Sequence, residues 1–588
     1  MKNLDFSKTI IKDGFWKYYY DLNRNVTVNA VYDRFQETGR FDCFKCHWIE
    51  GQENKPHHFF DSDVAKWMEG VAYLTEIERC PELEAKVDAV VEDIEANQLT
   101  DGYFNSYFIG VEPTMKYQLR SKHELYCTGH LIEAAIAYDK ATGKDKLLKC
   151  MLKNIDNIYQ AFVVDQRAAF VTPGHEEIEL ALLNLYEYLG DPKHLELAEF
   201  FINMRGNNEK EQPERYNQSH LPVREQHEAV GHSVRACYLY TAMAHLARIR
   251  QDKELKAACD DLFADIIHKK MSITGGIGSL KAGEQFSYAY DLPNHIVYNE
   301  TCAAISLAMF ASEMQQMENK AIYSDIIERI YYNGFISGLS LSGDHFFYTN
   351  PLEIDLKNVR NSEWRPISQR VKVFECSCCP PNVVRFLGAL PRYMYATEGN
   401  TVYCNQFADA VTALEQGTLK QKTDYPFSGK IEFAWQGSPI TLKVRIPGWC
   451  TEYDGQTENG YATFVLQDGD TAIVDLPMEI HIMESNPHVQ DNAGRYAVMR
   501  GPIVYCMEGV DNGEDLRDVA LVEASEIHVE REDLPAPVLY MQATRRKPFD
   551  ALYAIKSNER TAFTARLIPY FAFANRGESD MIVWVQVQ

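Results

Sequence analysis

A chain of 588 residues exceeds the usual size of one domain, so two or three domains are expected. Hydrophobic content of 46%, with 34 tyrosines, is enough for large cores. The formal net charge of −25 excludes nucleic acid and anionic membrane as partners, since both need basic patches. The opening residues Met1-Lys2-Asn3-Leu4-Asp5-Phe6-Ser7 contain no apolar signal-peptide core. No run reaches about 18 consecutive apolar residues, so no membrane span and a cytoplasmic location are expected. In a reducing compartment, 14 cysteines point to metal binding, catalysis or plain burial before disulfides.

Helical periodicity starts near 18–35. It recurs over 64–80, 83–97, 123–141, 145–162, 176–188, 194–204, 230–251, 253–271, 301–317, 321–336 and 380–395. The segments come as pairs joined by Gly-, Pro- or Asp-containing turns. Six helical hairpins closing into an (α/α)6 toroid is the economical arrangement, although a superhelical stack would bury the same helices equally well. The connections between hairpins are long and rich in aromatics and histidine. Examples are His57-His58-Phe59-Phe60-Asp61, Asp101-Gly102-Tyr103-Phe104-Asn105-Ser106 and Thr172-Pro173-Gly174-His175-Glu176. Such loops at one end of a scaffold suggest a binding face. Rings that stack on C–H faces, with Asp, Asn and His for hydroxyls, suit sugars. After Glu398 the pattern changes to short alternating strands at 401–406, 430–435, 440–446, 461–465, 471–476 and 496–498. Turns such as Asp454-Gly455, Asn459-Gly460 and Asp468-Gly469 punctuate them, the signature of an all-β sandwich. A second β segment follows and closes with a strand over 581–587. The expected division is a helical unit over 1–397, a β-sandwich over 398–499 and a second over 500–588.

Two cysteine clusters carry the chemistry. One is Glu300-Thr301-Cys302; the other is Glu375-Cys376-Ser377-Cys378-Cys379-Pro380-Pro381-Asn382. Thiols and a carboxylate from two short segments can make a four-ligand Zn²⁺ site, with one cysteine of the four to spare. The two prolines, followed by Val383-Val384-Arg385-Phe386-Leu387, place Cys378 and Cys379 at a helix N-terminus. The helix dipole and a bound metal both lower a thiol pKa there, so a thiolate in this place is either a structural ligand or a nucleophile. Cys43-x-x-Cys46 lacks a second pair and reads as plain thiols, and His175-Glu176-Glu177-Ile178-Glu179 lacks the second histidine of a zincin motif. His123 and His130 share a helix face near Cys127, while His175 and His232 lie near the starts of other helices. Together they could form a ring facing a ligand. Glu284, in Gly283-Glu284-Gln285-Phe286, precedes the first cluster closely enough to face the same pocket.

These motifs resemble glycoside hydrolase family 127, the β-L-arabinofuranosidases. Further matching segments are Phe60-Asp61-Ser62-Asp63-Val64-Ala65-Lys66-Trp67, His123-Glu124-Leu125-Tyr126, Phe347-Tyr348-x-Asn350-Pro351-Leu352 and Arg500-Gly501-Pro502, so the resemblance runs nearly end to end. It implies an (α/α)6 catalytic barrel followed by all-β sandwich domains. It also implies zinc on Glu300, Cys302, Cys378 and Cys379, with Cys378 as nucleophile, Glu284 as acid/base, and sugar contacts from His123, His175, His232 and Tyr348. One departure is Val31, which stands near the place where the family carries a glutamine. The expected activity is therefore retaining, exo-acting release of a furanosidic sugar, with β-L-arabinofuranose as the first candidate. The expected substrate is a small oligosaccharide or glycoside, and a homodimer remains open. The alternatives are a sugar epimerase or isomerase on the same toroid with structural zinc, and a non-catalytic carbohydrate-binding protein.

Overall fold

The structure, a computed structural model, describes residues 1–358, 366–373, 377–549 and 551–588. Glu375 and Cys376 of the second cluster lie outside the described residues. No helix among the described residues is long and apolar enough to cross a membrane.

Helices dominate the first two thirds of the chain. Six of them, α1 (Phe60–Ile77), α2 (Glu124–Thr142), α3 (Ile178–Leu189), α4 (Ser233–Arg250), α5 (Thr301–Met317) and α6 (Cys379–Gly388), pack each on the next, and α6 returns to α1. This closed cycle explains their composition. All ten residues of α6 and nearly all of α1 are buried, because an inner helix has no solvent face. Each of α1 to α5 is backed by the helix that follows it, Pro81–Asn97, Lys146–Tyr159, Pro192–Met204, Lys253–Asp265 and Ala321–Arg329 respectively, while α6 is backed by Val28–Glu37. These outer helices bury one stripe only; in Pro81–Asn97 it is Leu83, Val87, Val90, Val91 and Ile94.

The two ends of the helical unit differ. At one end the inner-to-outer turns are tight, set by left-handed Gly143 and Gly190 and by Asp191 and Asp252, which cap the next helix. At the other end the chain returns by long loops to the N-termini of the inner helices. The expected helices over 145–162, 253–271 and 321–336 do not run through as regular α-helix. Each ends in a wider π turn, Gln160–Val164, Ile266–Lys270 and Ile330–Phe335, just before one of these long loops.

Among the described residues the β part forms three sheets. Two have five strands each, and both recruit the N-terminus. Lys2–Asn3 pairs with Tyr395–Glu398, and Thr9–Asp13 pairs with Asp409–Leu414. The third sheet has ten strands; it is built from strands between Ile480 and Val587 together with Glu353–Ile354. A buried ion-pair cluster ties strand Ile440–Arg445 to helix Ala321–Arg329. Arg445, fully buried, reaches Asp325 at 2.6 Å and Glu328 at 2.7 Å, and Tyr425 and Trp449 donate to Glu328. Removing the cation leaves buried carboxylate charge uncompensated. Arg445→Ala is therefore expected to destabilise the protein by ~3–5 kcal/mol, read as a lowered denaturation midpoint. A midpoint within error of the parent would mean that the cluster contributes nothing net.

Candidate active site

The N-termini of all six inner helices converge on one cavity of about 340 Å³. Phe59 precedes α1 directly, His123 precedes α2, His232 precedes α4, Glu300 precedes α5 and Cys378 precedes α6. His175 lies two residues ahead of the residue that caps α3. All of these line the cavity, with Glu284, Cys302 and Tyr348. The partial positive charge of six helix N-termini therefore points at one place, which favours anionic thiol and carboxyl groups there.

Two short backbone junctions build the wall. Glu300 bridges Thr349, the Thr301 amide donates to the Tyr348 carbonyl at 3.0 Å, and Asn350 donates to the Asn299 carbonyl and the Thr301 hydroxyl. That seats Tyr348 beside Glu300. On the other side, His232 bridges Gln285, and the Ser233 amide and hydroxyl both donate to the Glu284 carbonyl. Gly283 and Glu284 are both left-handed, at φ 74° and 56°. For Glu284 that conformation costs roughly 1–2 kcal/mol, a strain held where the side chain meets His232. Glu284 Oε2 lies 3.0 Å from His232 Nε2. His232 Nδ1 accepts the Arg235 amide at the start of α4, so the neutral ring carries its proton on Nε2 and donates to Glu284.

The donors of Glu300, Cys302, Cys378 and Cys379 all lie within 4.8 Å of one another and could hold a metal ion. Cys378 Sγ is 3.3 Å from Glu300 Oε1, 3.2 Å from the Tyr348 hydroxyl and 3.8 Å from Cys379 Sγ. Cys379 Sγ is 3.4 Å from Cys302 Sγ and 3.6 Å from Glu300 Oε1. Burial pushes the Cys302 and Cys379 thiols well up, an effect that a bound cation reverses. Cys302 and Cys379 are 1% and 0% exposed, whereas Cys378 is only part-buried and faces the cavity. Glu300 also groups with His232 and Glu284 within 4.8 Å, so it stands between the thiol cluster and the Glu284 carboxyl.

The histidines form a continuous arc. His123 and His175 ring centres are 5.3 Å apart, and His175 and His232 are 5.6 Å apart, with Tyr126 4.0 Å from His175. Burial, then the charge of Arg235, hold His123 and His175 well below the usual histidine range, so both rings are neutral. His175 Nδ1 donates to the Glu176 carbonyl at 2.9 Å, which leaves Nε2 as an acceptor. His130 does not belong to this arc; it is fully buried against Glu177, 3.1 Å away, behind the cavity. Cys43 and Cys46 are free thiols outside the cavity. Val31 is fully buried and is not part of the cavity wall. Sequence reasoning missed Tyr126, Tyr216, Arg235 and Lys281, which also line it. Tyr126, three residues after His123, and Arg235, three residues after His232, each had a signal in that spacing, which puts them on the same helix face as the histidine.

A part-buried thiol, a carboxyl held by a histidine and neutral imidazoles around one cavity form an arrangement that could cleave a glycosidic bond. Comparisons with known proteins agree. Residues 10–392 match the family profile described as β-L-arabinofuranosidase, GH127 catalytic domain, residues 401–478 its middle domain, and residues 480–586 the glycoside hydrolase family 127 C-terminal domain. A non-reducing end β-L-arabinofuranosidase of Bifidobacterium longum is 33% identical, over 90% of this chain and 89% of its own length. The crystal structure of a GH127 β-L-arabinofuranosidase from Geobacillus stearothermophilus T6 superposes with a TM-score of 0.93 at 38% identity, covering 99% of this chain and all of that one. A second GH127 β-arabinofuranosidase structure gives 0.91 at 32% identity, covering 100% of this chain and 98% of that one. These matches decide for a hydrolase over the epimerase and the non-catalytic binding protein: the chain belongs to glycoside hydrolase family 127.

Proposed function

We propose that this glycoside hydrolase releases β-L-arabinofuranose from the non-reducing end of short oligosaccharides or glycosides, with retention of configuration. Cys378 is the nucleophile and Glu284 the acid/base. The observation that carries the assignment is the unequal exposure of the thiols. Cys379 is sealed and Cys302 reaches the cavity wall at only 1% exposure, whereas Cys378 is part-buried and opens on the cavity that also receives Glu284. The closed cycle of inner helices supports an (α/α)6 barrel as the catalytic unit, with the β-sheets as sandwich units behind it.

The four donors fit zinc. A tetrahedron with Zn–S bonds of about 2.3 Å and a Zn–O bond of about 2.0 Å has edges of about 3.8 Å between sulfurs and about 3.5 Å between sulfur and oxygen. The corresponding separations here are 3.4 and 3.8 Å, and 3.3 and 3.6 Å. Zinc held by Glu300, Cys302, Cys378 and Cys379 would supply thiolate character to the Cys378 sulfur at neutral pH.

In the first step the Cys378 sulfur attacks the anomeric carbon and forms a C–S bond. The bond to the leaving oxygen breaks, and the Glu284 carboxyl gives that oxygen its proton. In the second step the Glu284 carboxylate takes a proton from water. The water oxygen attacks the same carbon, the C–S bond breaks, and the thiolate is restored. Two inversions give net retention. His123, His175, His232 and Tyr348 bind the sugar, and the neutral rings offer donors and acceptors without charge.

An assay over nitrophenyl α- and β-L-arabinofuranosides, other furanosides and pyranosides tests the assignment. Preference for the β-L-arabinofuranoside is expected, and a preference for a pyranoside would overturn it. Glu284→Gln should keep fold and metal but lose about 10²–10⁴-fold in turnover on alkyl glycosides. The first-step defect should shrink for nitrophenyl leaving groups, which need little protonation. An equal loss for every leaving group would make Glu284 a binding residue.

A further inference from the structure

Arg235 lines the active-site cavity, and none of the steps above uses it. It leaves α4 on the same face as His232, one turn deeper, and is 7% exposed. One terminal nitrogen donates to the Gly174 carbonyl, and the guanidinium carbon lies 4.5 Å from the centre of the Tyr216 ring. Other buried arginines have more acceptors within the protein, although the Nε of Arg205, like that of Arg235, has none. Arg40, Arg205, Arg385 and Arg445 each pair with a carboxylate, and Arg370 donates to the carbonyls of Ser337 and Phe571. Among the described residues Arg235 has no carboxylate partner, and its Nε is sealed from solvent without an acceptor. A buried cation short of counter-charge is unfavourable unless a ligand brings acceptors to the part of the side chain that lines the cavity.

The surroundings say which kind of ligand. The adjacent His123 and His175 are neutral, and Glu284 and Glu300 occupy the same wall. The carboxylates disfavour an anion, whereas neutral rings and a fixed cationic donor suit a neutral, hydroxyl-rich sugar. We propose that Arg235 is a substrate-binding, specificity-determining residue that donates to a hydroxyl oxygen of the furanosyl unit, its fork fixed by the Gly174 carbonyl and the Tyr216 face. This rests on the furanosidase function proposed above.

The test is a cycle with the metal-replete enzyme. Wild type and Arg235→Gln are compared on nitrophenyl β-L-arabinofuranoside and on its 2-deoxy, 3-deoxy and 5-deoxy analogues. On the parent substrate kcat/KM should fall about 10- to 100-fold, the range for a lost charge-assisted hydrogen bond. On the one analogue lacking the partner hydroxyl, variant and wild type should agree within about threefold. A purely structural role cannot produce that selective collapse. A gap undiminished on all three analogues, or a variant within about threefold of wild type on the parent, overturns the proposal. If Arg235→Gln does not fold by circular dichroism, Arg235→Lys goes through the same cycle with the same two outcomes, because it keeps the charge and loses the fork. Failure of the furanosidase function would show separately, as a wild type inactive on the parent glycoside.

Discussion

Cys378→Ser is expected to lower turnover by at least about 10³-fold while leaving the fold intact. The side chain lies where Glu300 Oε1 and the Tyr348 hydroxyl are 3.3 and 3.2 Å away, so a serine oxygen of similar size meets acceptable partners. What is lost is chemistry. A hydroxyl has a pKa far above that of a thiol and is a much weaker nucleophile at neutral pH, so the first displacement slows. The same change lets the serine oxygen remain near the other three donors, and partial retention of metal is expected by elemental analysis. Turnover within about tenfold of wild type would show that the Cys378 sulfur does not attack the substrate.

Cys302→Ala should remove metal and activity together. Cys302 sits in the first turn of α5, 1% exposed and 3.4 Å from the Cys379 sulfur. Its burial leaves no room for water to replace the missing donor readily, and a closed four-ligand site loses affinity steeply with each ligand. Metal content should fall from about one ion per chain to near zero, and hydrolysis should fall with it. Treatment of wild type with a chelator should give the same loss, and added zinc should restore it. Stoichiometric metal in Cys302→Ala would exclude Cys302 as an essential ligand.

Much of this was legible in the sequence, for identifiable reasons. The inner helices carry apolar and small residues on every face, so it is the length of these apolar-rich stretches that marks them as helices; the expected helix over 301–317 coincides with Thr301–Met317. The grouping of the four side chains was legible because each half lies in one short segment, Glu300 with Cys302 and Cys378 with Cys379. Long-range pairing was not. Lys2–Asn3 and Thr9–Asp13 each find partners about four hundred residues away, and although Thr9-Ile10-Ile11 is β-branched, so short a run does not announce its distant partner. The helix ends were misjudged where π turns widen the last turn, because hydrophobic spacing continues through an extra residue. The strands Asp409–Leu414 and Gly417–Thr423 went unread; they are held by pairing on both sides, and tertiary context decided them. Arg235 was passed over because a sequence gives no sign that a buried cation lacks a counter-charge.

The nucleophilic role of Cys378 is tested most directly by trapping. A mechanism-based β-L-arabinofuranosyl inactivator is incubated with the metal-replete enzyme, which is then digested and sequenced by tandem mass spectrometry. The expected result is one furanosyl mass per chain, on the Cys378 sulfur and not on Cys376 or Cys379 of the same peptide. NMR of the first product from a good substrate should then show the anomeric configuration of the substrate. A label on Glu284 or Glu300, or an inverted first product with no covalent adduct, would contradict attack by Cys378 and leave it as a ligand alone.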